Sequence, residues 1–190
     1  MTAHEIGAEI FESCRRGDRD AFRALYDAYR DRVYSIALYF FHGDANTAAD
    51  VTQEVFMKLL TGIAQFRGDS NFSTWLYRLV VNACINSVRG GRARTHAMDP
   101  VMLDRMPAAT SHEDDFTRAQ TTRSVRAAIS SLPPKYRLAI LLRYFDDLSY
   151  EDIASALGCS AGTVASRLSR GHRLLAKRLS STRARGSAPQ

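Results

Sequence analysis

The chain has 190 residues, 45% of them hydrophobic and 24% charged, with a net charge of +6. This excludes a collagenous, low-complexity or wholly disordered chain and suggests one or two domains. No stretch approaches roughly 18 uncharged apolar residues, so no stable membrane insertion is expected. The start, MTAHEIGAEIFESC, carries acids and lacks a basic-then-apolar signal pattern. Three widely spaced cysteines (Cys14, Cys84, Cys159) without CxxC argue against a disulfide scaffold or zinc knuckle and fit a reducing cytoplasm. The five histidines form no HExxH pair, so neither cofactor nor metal is expected.

The charge is unevenly placed. Residues 1–95 hold 12 Lys/Arg and 11 Asp/Glu, residues 96–120 hold 2 and 5, and residues 121–190 hold 12 and 4. The basic excess gathers at the C-terminal end, where 165–185 contains seven cations and no acid. Such a block suits a polyanion, although a solvated helix face with a basic tail has the same composition.

In chain order, apolar residues first recur at steps of 3 or 4 from Phe22 through Leu25, Tyr29, Val33 and Ile36 to Phe40, which predicts a long helix. Gly43 suits its C-terminal cap and Asp44 the next N-cap. A second stripe runs from Ala48 through Val51, Val55 and Leu59 to Ile63. A polar loop, Arg67-Gly68-Asp69-Ser70-Asn71, leads to a third helix, with Ser73 as N-cap and Gly90-Gly91 as its end. Residues 95–118 lose apolar periodicity, carry prolines and an acidic run, and read as a flexible linker.

The second helical body spans 119–180. Pro133-Pro134 separates two of its helices, with Pro134 in a first turn where a missing N–H costs little. Ser149 is placed as an N-cap with Glu151 and Asp152 behind it, and Gly158 as the positive-φ residue of a tight turn. Ser160 would cap the following helix, and Ile153, Ala154, Leu157, Val164 and Leu168 would pack inward. A short helix, a glycine turn and a second helix make a helix-turn-helix. Its second helix carries hydroxyls and arginines, which suit base edges and phosphates in a groove. Residues 181–190 read as a disordered basic tail. The predicted fold is all-α: two small helical domains, 1–94 and 119–180, joined by a flexible acidic linker.

From about Asp20 to Leu179 the chain resembles the extracytoplasmic-function sigma factors of bacterial RNA polymerase. Three segments carry the likeness: Asp50-Val51-Thr52-Gln53-Glu54-Val55-Phe56; Phe66-Arg67-Gly68 with Phe72-Ser73-Thr74-Trp75-Leu76-Tyr77-Arg78 and Asn82; and Ile153-Ala154, Leu157-Gly158, Gly162-Thr163-Val164, Ser166-Arg167-Leu168 and Arg170. The resemblance implies an alternative sigma factor, not an enzyme, that binds core polymerase through the coiled coil of the largest subunit and the flap. It would direct polymerase to promoter DNA, assist melting, and be held inactive by an anti-sigma factor.

It also implies residue roles. Asp50, Gln53, Glu54 and Phe56 would meet polymerase, although Phe56 also reads as core. Arg67, Gly68, Asp69, Ser70, Asn71, Asn82, Asn86 and Arg89 would bind the −10 element, with a base flipped into the loop. Trp75 reads as core. Ser160, Thr163, Ser166, Arg167, Ser169, Arg170, Arg173 and Lys177 would bind the −35 element, Arg170 to base or backbone. Ala165 stands where relatives often carry Lys or Arg. Gly171 stands for a commoner Ala and is expected to weaken its helix by somewhat under ~1 kcal/mol. The competing reading is a one-component helix-turn-helix regulator that does not act through polymerase. It leaves the Asp50–Phe56 face and the loop before Trp75 without a role.

Overall fold

The computed structural model describes residues 8–66, 71–90 and 114–186. They form α1 (Ala8–Arg15), α2 (Arg19–Phe40), α3 (Ala45–Gly62), α4 (Phe72–Arg89), α5 (Asp114–Ser130), α6 (Pro134–Phe145), α7 (Tyr150–Leu157) and α8 (Ala161–Gly186), with a single 3-10 turn, Ile63–Gln65, after α3. No strand occurs among the described residues.

The apolar stripes become the core as expected. Leu25, Val33, Ile36 and Ala37 of α2, Val55 and Leu59 of α3, and Leu76 and Val80 of α4 are wholly buried. In the C-terminal half the same holds for Leu141 and Leu142 of α6, Ile153 of α7 and Val164 of α8. Asp44 caps α3, its carboxylate accepting from the Asn46 and Thr47 N–H groups. Burial pushes the Cys84 thiol up to about 12, so it packs as a small apolar side chain.

Several boundaries differ from expectation. Helix α2 closes on Phe41, not Gly43, and both His42 (φ 60°) and Gly43 (φ 90°) take the left-handed conformation that turns the chain into α3. Helix α4 begins after Asn71, which makes no side-chain capping bond, so Ser73 lies inside the helix. Helix α1 was not expected; it is short, and it is fastened by Phe11 against Phe72 (centroids 4.4 Å) and by the buried Cys14. Helix α5 starts at Asp114, inside the segment expected as linker, because its first turns carry no apolar stripe to announce them. Helix α8 runs on to Gly186, so residues 181–186 are helical and not a disordered tail.

The two halves are not merely tethered. Helix α2 packs on α5 and α6, and α4 packs on α7. Arg32 pairs with Asp146, whose side chain is only 6% exposed. Thr74 Oγ1 donates to Asp152 Oδ1 at 2.7 Å, and Arg126 Nε donates to the Tyr39 hydroxyl at 3.1 Å. Tyr39 meets Phe145 edge-on, centroids 5.0 Å apart. Arg137, 4% exposed, is the central fastener. It donates to the carbonyl oxygens of Phe40, Ser130 and Leu132, and its Nη1 lies 3.0 Å from His42 Nε2. The Phe40 and Ser130 carbonyls end α2 and α5, where helix carbonyls lack intrahelical partners and the dipole favours a cation.

Candidate nucleic-acid interface

The helix-turn-helix forms by local chemistry that the sequence specifies. Ser149 Oγ accepts from the Asp152 N–H at 3.0 Å and donates back to Asp152 Oδ2 at 2.6 Å. Those bonds from Ser149, with that from Thr74, hold the Asp152 carboxyl below its ordinary pKa. Gly158 takes φ 60°, and its N–H closes α7 on the Ala154 and Ser155 carbonyls. Ser160 Oγ accepts from the Thr163 N–H at 3.2 Å and starts α8. Val164 (0% exposed) and Leu168 (2%) pin α8 to the core, which leaves its opposite face to solvent.

That face borders a groove of ≈ 440 Å³, open to solvent. Five expected −35 residues line it: Ser160, Thr163, Ser166, Arg167 and Arg170. Ser160 and Thr163 share a hydroxyl bond at 2.9 Å, and Ser166 Oγ donates to the Gly162 carbonyl at 3.0 Å. Ser160 therefore works first as a cap, while Thr163 is half-buried and Ser166 exposed at the groove. Ser169, Arg173 and Lys177 are exposed farther along α8 and do not line the groove. Two lining residues carry no sequence signal, Lys135 and Tyr136 at the start of α6. The lining holds three cations and no acid.

On α4, Asn82, Asn86 and Arg89 follow one exposed stripe, and Arg78, one turn earlier, extends it. Asn71 is exposed at the helix start. Arg67, Gly68, Asp69 and Ser70 lie outside the described residues. Trp75 is half-buried against Phe66 and Phe72, with centroids at 5.4 and 5.9 Å. Packed in this way it is not a free stacking platform. Behind it, the Tyr77 phenol is wholly buried, and burial first, then the Asp146 charge, push its pKa up.

Helix α3 presents a different surface. Asp50 and Gln53 are exposed, while Glu54 is half-buried and accepts from Lys58 Nζ at 2.7 Å. Phe56 is 5% exposed and edge-stacked on Tyr26, so it forms the floor of a groove and not a free contact. Tyr26, Gln53, Phe56, Met57 and Leu60 line this α2–α3 groove of ≈ 600 Å³. Met57 and Leu60 are 56% and 50% exposed, a signal that the acidic stripe had hidden. Among the described residues no group of His, Cys, Asp or Glu could hold a metal, and no helix is long and apolar enough to cross a membrane.

Comparison with known proteins agrees with both halves. Residues 25–94 match the family model "Sigma-70 region 2" and residues 122–175 match "Sigma-70, region 4". The chain is 35% identical to the RNA polymerase sigma-H factor of Pseudomonas aeruginosa, over 94% of this chain and 96% of that one. It is 32% identical to the ECF RNA polymerase sigma factor SigW of Bacillus subtilis, over 87% and 92%. With the ECF RNA polymerase sigma-E factor of Escherichia coli the identity is 36% over 85% and 87%. Two solved structures share the fold, each with a TM-score of 0.68. One is CnrH in complex with the cytosolic domain of CnrY (20% identity; 91% and 96% covered). The other is the sigma factor RpoE in complex with the anti-sigma factor NepR from Bartonella quintana (24%; 84% and 96%). With two sigma-70 regions in order and near-full-length relatives of this kind, the chain belongs to the extracytoplasmic-function sigma factors of the sigma-70 family.

Proposed function

We propose that this alternative sigma factor divides its work between its halves. Residues 1–94 bind core polymerase through the exposed Asp50–Gln53 stripe and the apolar groove beside it, and read the −10 element with Asn82, Asn86, Arg89 and the loop before α4. The body that follows the linker reads the −35 element through α8. Neither half catalyses a reaction, and the protein acts in the cytoplasm, where polymerase is. The observation that carries the reading is the α8 groove: hydroxyls and two arginines on the helix-turn-helix, with Lys135 of α6 beside them and no acid in the lining. Thr163, Ser166 and Arg167, nearest the helix start, are assigned to base edges, and Arg173 and Lys177 to phosphate.

The packed halves bear on regulation. Positions 25 base pairs apart on B-DNA lie ~85 Å from one another, at ~3.4 Å per pair. With α4 and α7 in contact through Thr74 and Asp152, one chain does not span that distance. The packed form is therefore a resting state that opens on polymerase. A protein inhibitor that favours it, as an anti-sigma factor would, keeps the chain from both elements.

The test is reconstitution with core polymerase. Holoenzyme should initiate at defined sites that core alone does not use. Asp50→Ala with Gln53→Ala should weaken core binding by about tenfold or more, ~1.4 kcal/mol, with helical circular dichroism unchanged. A wild-type chain that binds duplex DNA but never co-elutes with core would favour the one-component regulator instead.

A further inference from the structure

Lys135 and Tyr136 have no assigned role, yet α6 brings both to the α8 groove. Lys135 Nζ lies 5.1 Å from the centroid of the Tyr136 ring. Tyr136 and Arg170 line the same groove, and the neighbouring Arg170 guanidinium, with the Lys135 charge, draws the Tyr136 phenol below its usual pKa. Gly171 lies where α8 packs against α6. A Cβ there would stand 3.0 Å from Ile140 Cγ1 and 3.8 Å from Tyr136 Cβ. A Cβ at that distance would oblige Ile140 to give by a few tenths of an ångström, so the glycine eases the approach of α6 to α8 beside the groove.

Three like charges, Lys135, Arg167 and Arg170, thus converge where the lining supplies no carboxylate. Mutual repulsion is relieved by an anion. A helix laid in a major groove brings the sugar-phosphate strand against whatever flanks that helix, here the first turn of α6. An ammonium suits a phosphate as a point charge, and a guanidinium beside a phenol has N–H groups to spare for phosphate oxygens. Arg170 borders the same groove as Lys135 and Tyr136 of α6 and stands nearly a turn farther from the helix start than Arg167.

We infer that Lys135 and Arg170, the latter positioned by Tyr136, form a phosphate clamp beside the recognition helix. Arg170 therefore holds the DNA backbone instead of reading a base. The inference rests on the −35 reading of α8 and deepens it.

The test uses holoenzyme and a duplex that the wild type selects from a random-sequence pool. Affinity is measured between 50 and 200 mM salt and on single-base variants of the −35 segment. Lys135→Ala and Arg170→Ala should each lower the salt slope by ~0.9 and weaken every variant by the same factor. Lys135→Arg should restore the slope. Tyr136→Phe should weaken binding in the wild type but add nothing to Arg170→Ala, a non-additivity that a merely structural tyrosine would not give. The clamp is overturned if Lys135→Ala leaves the slope unchanged, or if Arg170→Ala relaxes preference at one base pair alone. A wild-type holoenzyme that selects no −35 sequence overturns the reading beneath it, so the two failures are distinct.

Discussion

Arg137 and Arg170 lie on neighbouring helices of the same half, in opposite surroundings. Arg137 is buried where the two halves meet, and three backbone carbonyls accept its protons. Burial without a carboxylate pushes its pKa down to about 10. Nearby, Arg32 has Asp146, and Asp152 has Thr74 and Ser149. Along the α8 groove the reverse holds: Arg170 is exposed, its neighbours Arg167 and Lys135 share its sign, and no acid lines the space. A contact that must hold one packing finds most of its partners within the chain, since a buried polar group without a partner is costly; of the Arg137 nitrogens only Nε is left without one. A surface meant for a polyanion leaves its charges for the polyanion to answer.

The sharpest way to break this contrast is to make the same substitution at both sites. Arg137→Met keeps the bulk of the side chain but strips donors from Phe40, Ser130 and Leu132. At ~1–3 kcal/mol for each buried carbonyl left unpaired, and with some reached by water, the loss should be about 3 kcal/mol in urea unfolding at pH 7. Arg170→Met removes an exposed cation and should change stability by less than ~0.5 kcal/mol while lowering DNA affinity. Equal stability losses at the two sites would mean that the arginines do not differ in kind.

The second way acts on Gly171, the residue that joins the groove to the core. Alanine is a better helix former than glycine by ~1 kcal/mol, which is why the sequence alone reads Gly171 as a weakness. Its Cβ, however, would meet Ile140, 3% exposed and backed by the core, at 3.0 Å. Overpacking of this kind costs ~1–3 kcal/mol, so Gly171→Ala should destabilise by about 1 kcal/mol net. Ile140→Ala should then cost less in the Gly171→Ala background than alone, as thermal unfolding of the four proteins would show. Additive costs would place the contact elsewhere.

Gly171 also marks where sequence legibility ends. Helices α2, α3, α4, α6, α7 and α8 announce themselves because each buries one stripe at helical spacing. The Asp44, Ser149, Ser160 and Gly158 ends are legible because capping is chemistry within a few residues. Helix α5 announces only its later turns, where Val125 and Ile129 lead to Leu132 before the prolines; its first turns and the extension of α8 give no such stripe. The groove half contributed by α8 follows from its spacing, but Lys135 and Tyr136 enter from another helix and depend on a close approach. The fastening of the halves is equally invisible, since Thr74 and Asp152 are 78 positions apart and Arg32 and Asp146 are 114. Neither local pattern nor composition ties such pairs together.

The smallest effect expected concerns His42, where the answering of charge depends on pH. Its ring nitrogen lies 3.0 Å from Arg137 Nη1 and, neutral, accepts the arginine proton. Burial first, then the Arg137 charge, lowers the His42 pKa below its ordinary 6.5. The unfolded chain takes up this proton near pH 6.5, and the folded chain only lower down. Between the two values the unfolded state binds more protons, so stability falls as pH falls through 6.5 and levels off beneath the folded pKa. His42→Asn is the suitable control, because asparagine tolerates the left-handed φ of 60° and does not titrate. Urea midpoints at pH 7.5, 6.5 and 5.5 should decline for the wild type and decline less for the variant. Asp152 acts in a separate window: its lowered pKa gives stability that is lost only as pH drops below the usual aspartate range. Parallel curves down to pH 5.5 would show that His42 takes its proton as freely in the folded chain as in the unfolded one. The contact between the halves would then be as indifferent to acid as the carbonyls that hold Arg137.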